Sequence, residues 1–64
     1  MFGERLKKAR IAKGWSQVQI GKMVGVSGPM ITQIERGTRQ ATAPLIAELA
    51  KILECTADSL IYGE

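Results

Sequence analysis

Histidine is absent from this 64-residue chain, and Cys55 is its only cysteine. Neither a disulfide framework nor a Cys/His zinc site can therefore be built within one chain. No run approaches the roughly 18 apolar residues of a membrane span, and the opening MFGERLKKAR lacks the apolar stretch of a signal peptide. A free thiol without an export signal points to a reducing, cytoplasmic setting. With no histidine and only scattered carboxylates, no acid–base or nucleophilic constellation can be assembled. The chain is thus expected not to be an enzyme, and to need no cofactor, metal, membrane or small-molecule substrate.

A chain of this size buries only about 60% of its unfolded surface, so its core is marginal. With disulfides and metals excluded, tight helix packing and self-association remain as sources of stability.

Charge is unevenly spread. Residues 1–41 hold eight basic side chains against Glu4 and Glu35, a net +6, whereas 42–64 hold Lys51 against four acids, a net −3. The basic part suits a polyanion, and the acidic part suits solvent or a protein partner.

Local patterning is helical throughout. Phe2, Leu6 and Ala9 mark one face of a first helix that Gly14 ends. Leu45, Leu49 and Ile52, with Ile46 and Leu53 beside them, mark another. Three helix starts share one spelling: an apolar residue, a hydroxyl cap, and a second apolar residue four positions after the cap. They are Trp15-Ser16 with Ile20, Val26-Ser27 with Ile31, and Cys55-Thr56 with Leu60. This is the hydrophobic staple, and Gln19 completes a capping box with Ser16. The reading predicts five helices near 2–13, 17–24, 28–36, 43–53 and 57–62, an all-α fold. The core is expected from Trp15, Ile20, Val24, Val26, Ile31, Ile34, Leu45, Leu49, Ile52 and Leu60. Cys55, just before a cap, reads as a small buried hydrophobe.

Gly25 stands where a helix C-terminus favours a left-handed residue, and Ser27 caps the next helix two residues later. Two helices joined by so short a Gly-containing turn make a helix-turn-helix unit; the alternative is a plain helical hairpin in a small bundle. Gly21 falls where the two helices cross, and its missing side chain lets the backbones approach.

The segment SQVQIGKMVGVSGPMITQIERGTR resembles the helix-turn-helix of the XRE, or Cro/phage-repressor, family. Gln17, Gly21, Gly25, the pair Ile31 and Ile34, and the IERG ending at Gly37 carry the likeness. ERLKKARIAKGWSQ is similar to that family's first helix and PLIAELAKILECTADSLIYG to its last two. The resemblance implies a five-helix lambda repressor-like DNA-binding domain over 1–64, with the helix-turn-helix over 17–36. Two departures stand out. Glu54 replaces the glycine common between the last two helices, and would be strained if left-handed. Gly28-Pro29-Met30 replaces residues that are often polar in relatives.

By position, the resemblance implies base reading by Gly28, Pro29, Thr32 and Gln33 from a helix lying in the major groove. Glutamine can pair bidentately with adenine, and Thr32 can offer its hydroxyl or its methyl. Gln17 is implied to bond a phosphate at its helix's positive end. Lys13, Arg36, Thr38, Arg39 and Gln40 are implied to hold the sugar-phosphate strand, which sets register without reading sequence. Arg10 lies four residues after Leu6 on the inward face and needs a partner. The resemblance nominates Glu35, making a structural ion pair.

Gly28 and Pro29 become the first two residues of their helix if Ser27 is the cap. Proline is tolerated there, because its missing N–H had no intrahelical partner. Ser27 must then cap the N–H of Met30. An apolar surface at Pro29 suits thymine methyl groups.

The implied function is a sequence-specific regulator binding a palindromic double-stranded operator as a homodimer, with Leu60, Ile61 and Tyr62 as the dimer surface. An alternative is an antitoxin-type, protein-binding member of the family, although such members usually carry extra segments. The chain can also be the DNA-binding part of a longer repressor.

Overall fold

Four hydroxyl side chains set the helix starts. Ser16 Oγ accepts from the Gln19 N–H at 3.0 Å, and the Ser16 N–H donates to Gln19 Oε1 at 2.7 Å, closing the capping box. Ser27 Oγ accepts from the Met30 N–H at 3.2 Å, and Thr56 Oγ1 from the Ser59 N–H at 3.0 Å. The fourth cap, Thr42, accepts from the Leu45 N–H at 3.3 Å. Each satisfies one of the N–H groups that a helix start leaves unpaired.

The structure, a computed structural model, describes residues 2–62, with the backbone alone at 57 and 58. Met1, Gly63 and Glu64, the ends of the expected 1–64 domain, lie outside the described residues. The helices are α1 (Phe2–Lys13), α2 (Gln17–Val24), α3 (Gly28–Arg36), α4 (Ala43–Ile52) and α5 (Ala57–Tyr62), and no strand occurs among the described residues. α3 packs on α2 and α1, α4 on α2 and α5, and α5 closes back onto α1. Arg5 fixes this closure by donating from Nη1 to the carbonyl of Ile61 at the end of α5. No helix among the described residues is long and apolar enough to cross a membrane.

One core joins the five helices: Leu6, Ile20, Ile31, Ile34, Leu45, Leu49, Ala50, Leu53 and Leu60. Trp15, Val24, Val26 and Ile52, expected inside, are half-buried at its edge. A tryptophan is too large to be covered fully by so small a body. The exchange of Ile52 for Leu53 follows from the end of α4. Leu53 is its C-cap (φ −85°, ψ −1°), and the turn there buries Leu53 and leaves Ile52 half-buried.

The α2–α3 turn is held by close backbone approach. Gly25 is left-handed (φ 79°, ψ 26°), and the N–H of Val26 bonds the carbonyl of Gly21 at 2.8 Å. A methyl group on Gly21 would sit 2.6 Å from the Val26 carbonyl oxygen. The glycine therefore serves the turn as well as the helix crossing. Gly3 does the same for α1 and α3, since a methyl group there would collide with the carbonyl oxygens of Ile34 and Glu35.

Glu54 is left-handed, with φ 58°, the non-glycine residue with positive φ among those described. Lys13 donates from Nζ to its carboxylate, and this hydrogen bond and charge hold the Glu54 carboxyl below its usual range. Burial pushes the Cys55 thiol up, in keeping with a packing role.

Candidate nucleic-acid interface

A buried carboxylate organises the joint of α1, α2 and α3. Arg10 donates from Nε to Glu35 Oε2 at 2.7 Å and from Nη2 to Oε1 at 3.2 Å, with side chains 10% and 4% exposed. Arg10 Nη1 also donates to the Trp15 carbonyl at 2.8 Å. Gln17 Nε2 donates to Glu35 Oε1 at 2.9 Å, and its own Oε1 accepts from the Thr32 hydroxyl at 2.7 Å. An arginine fork fills only part of a carboxylate's accepting capacity, and Gln17 takes up more of it. No buried side-chain polar atom is left unpartnered among the described residues.

This chain of bonds aims what remains outward. The Thr32 hydroxyl also lies 3.2 Å from the Gly28 carbonyl, so its one hydrogen is committed inside the joint. The Thr32 hydroxyl has no hydrogen left to donate to a ligand, and its methyl supplies the apolar contact. Gln17 spends one amide hydrogen on Glu35 and keeps the other.

Between the starts of α2 and α3 lies a shallow open depression lined by Gln17, Val18, Gly28, Pro29, Thr32, Gln33 and Arg36. Pro29, Gln33 and Arg36 are exposed, and Gly28 and Thr32 are half-buried. All four expected base readers therefore meet at one place. Gly28, however, faces Val18: a methyl group there would lie 3.1 Å from Val18 Cγ2. Its absent side chain seats α3 against α2 as well as clearing space. Val18 itself is 56% exposed beside Pro29, giving an apolar patch that sequence analysis overlooked. An apolar β-branched residue between Gln17 and Gln19 was the available signal.

The expected backbone contacts divide. Arg36 and Gln40 are exposed. The N–H and hydroxyl of Thr38 both donate to the Gln33 carbonyl, at 3.0 and 3.2 Å, so Thr38 closes the end of α3. Arg39 Nε donates to Gln33 Oε1 at 2.8 Å. Lys13 is not gathered into this group, because Glu54 holds its ammonium. Leu60 is only 2% exposed and belongs to the core, since the Thr56 cap turns it inward over α1. It is not dimer surface. Ile61 and Tyr62 remain, 37% and 68% exposed, and Ile61 borders an apolar groove with Phe2, Ala41 and Ile46.

A family model described as Helix-turn-helix matches residues 6–60. The chain belongs to the helix-turn-helix family. This helix-turn-helix protein is 35% identical over 64 residues to the uncharacterized HTH-type transcriptional regulator YazB of Bacillus subtilis (strain 168), covering all of this chain and 93% of that one. It is 36% identical over 64 residues to Repressor protein C2 of Salmonella phage P22, covering all of this chain and 30% of that protein. Among solved structures, the P22 c2 repressor in complex with synthetic operator 9T matches with a TM-score of 0.95 at 36% identity, over 100% of this chain and 97% of that one. The restriction-modification controller protein C.AhdI from Aeromonas hydrophila matches with a TM-score of 0.86 at 34% identity, over 92% and 89% of the two chains. The helix-turn-helix protein thus has the five-helix, repressor-like fold expected from its sequence.

Proposed function

We propose that this chain is a sequence-specific DNA-binding transcriptional regulator of the repressor or Cro type. It forms one domain over residues 1–64, with its helix-turn-helix over 17–36. It binds a palindromic operator as a homodimer, with α3 in the major groove. The observation that carries this reading is the match of the whole chain to a repressor solved on operator DNA.

Local geometry supports the division of labour. Pro29, Val18 and the Thr32 methyl offer apolar surface to thymine methyl groups, and Gln33 offers hydrogen bonds further along α3. Gly28 lets α3 sit close to α2 at the groove. The free amide hydrogen of Gln17 and the first N–H groups of α2 suit a phosphate. Arg36, the last residue of α3, and Gln40 beyond it suit the sugar-phosphate strand, within the part of the chain that carries the net +6. Thr38 and Lys13 contribute only by leaving their internal bonds. Arg10 and Glu35 clamp the reading helix to α1 and touch no base.

Two copies meet through Ile61 and Tyr62 and the apolar groove beside them, because one small domain covers too little DNA for high specificity. In this reading the protein works in the cytoplasm by binding alone, without cofactor, metal, membrane or small-molecule substrate. Selection of bound duplexes from a random pool, read by sequencing, tests it. The expected product is a palindrome whose half-site centres lie about 34 Å apart. A pool with no enriched motif contradicts the reading.

A further inference from the structure

The end of α3 holds one side chain in a fixed attitude. Gly37 is left-handed (φ 83°, ψ 9°), and its N–H and that of Thr38 both return to the Gln33 carbonyl. The chain reverses there and lays Arg39 back over Gln33, six residues earlier. Arg39 Nε then donates to Gln33 Oε1 at 2.8 Å. A guanidinium has donors and no acceptor, so only the carbonyl end of the amide can face it. The orientation of the Gln33 amide is thereby settled by chemistry: Oε1 faces Arg39, and the Nε2 amino group is left for the depression shared with Pro29, Thr32 and Arg36.

We infer that Arg39 is a positioning residue that makes Gln33 a reader of guanine. The inference rests on the placement of α3 in the major groove. Guanine presents two acceptors there, N7 and O6, whereas adenine presents the N7 acceptor and the N6 amino donor. The amino group of Gln33 and the guanidinium beside it form a surface of donors only. Against guanine every facing pair is donor to acceptor. Against adenine the N6 amino hydrogens must share Oε1 with a cation, through its one remaining lone pair and with further guanidinium N–H groups alongside. The bidentate adenine pairing available to a free glutamine is therefore disfavoured. Arg39 acts through Gln33, so its removal should change which base is chosen and not only how tightly DNA is held.

The test compares base preference for the intact protein and for Gln33→Ala and Arg39→Ala, each by selection from the same random pool. Both residues are exposed. Unchanged thermal unfolding of the variants would show that the fold is retained. The base pair at which Gln33→Ala loses discrimination identifies the contact. There the intact protein is expected to prefer guanine over adenine by about tenfold. Arg39→Ala is expected to bring the two within about twofold or to reverse them, with preferences elsewhere in the site unchanged. Equal loss of affinity for all four bases with Arg39→Ala, together with a shallower salt dependence, would place Arg39 on a phosphate and overturn the inference. An adenine preference in the intact protein would overturn it too. Either result leaves DNA reading by α3 intact, whereas absence of any base preference in the intact protein removes the foundation itself.

Discussion

Arg10 and Glu35, twenty-five residues apart, form a two-pronged ion pair whose side chains are 10% and 4% exposed. The pair joins α1 to α3, and removing one partner leaves a buried charge alone. Such a loss costs about 3–5 kcal/mol. A 64-residue domain has about 3–10 kcal/mol in total at usual per-residue stability. Arg10→Met or Glu35→Leu alone should therefore leave little folded protein at 37 °C. The double variant should recover much of the loss, with a coupling of about 2 kcal/mol in urea unfolding. Additive losses would show that the pair does not act as a clamp.

Glu54 carries a left-handed backbone that glycine adopts without strain. Glu54→Gly should raise Tm by a few degrees at pH 7, although it gives up the exposed pair with Lys13. The pair's own contribution has a definite pH dependence. Lys13 lowers the folded Glu54 pKa, so the contribution is present above the ordinary carboxylate pKa and fades as pH falls through the folded value. The advantage of glycine should consequently widen between pH 7 and pH 3. Calorimetry at both values checks this, and a lower Tm for the glycine variant at pH 7 would contradict it.

Gly21→Ala tests the turn. The added methyl meets the Val26 carbonyl oxygen at 2.6 Å and the Ser27 carbonyl carbon at 3.3 Å, backbone atoms next to the Val26–Gly21 hydrogen bond that closes the turn. Destabilisation of about 1–3 kcal/mol is expected. Affinity for the selected operator should fall further than stability explains, since the turn sets the angle of α3. A variant as stable as the parent would refute the close approach.

Val18 and Pro29 together should feel thymine methyl groups. Val18 is 56% exposed, so Val18→Ala should leave thermal stability nearly unchanged. Replacing a contacted thymine by uracil should weaken binding by about fourfold, the worth of one buried methyl. That penalty should shrink in Val18→Ala. Silence at every thymine position would dismiss methyl reading.

Much of this fold is written in short-range signals. Ser16, Ser27 and Thr56 announced their helices because each sits between apolar residues at fixed spacing. Thr42 obeys the same spelling, with Ala41 before it and Ile46 four positions after, and the weakness of alanine as an apolar marker hid it. What spacing cannot express is which side chains meet across the fold. The binding of Gln17 to Glu35 and Thr32 depends on three helices converging on one carboxylate. The capture of Lys13 by Glu54 spans forty-one residues. Leu60 and Ile61 are adjacent and equally apolar; the staple with Thr56 marked Leu60 for the core, where it lies, but the same spacing also left it on the expected dimer surface, from which only the docking of α5 on α1 removes it.

The central claim, that the exposed face of α3 reads DNA sequence, is tested most directly by competition binding at about 150 mM salt. The operator recovered by selection is compared with a scrambled duplex of equal length and composition. The operator is expected to bind more than about tenfold tighter, as site-specific readers do. A ratio below about tenfold would mean that the basic surface holds DNA through its phosphates alone, and would contradict the account.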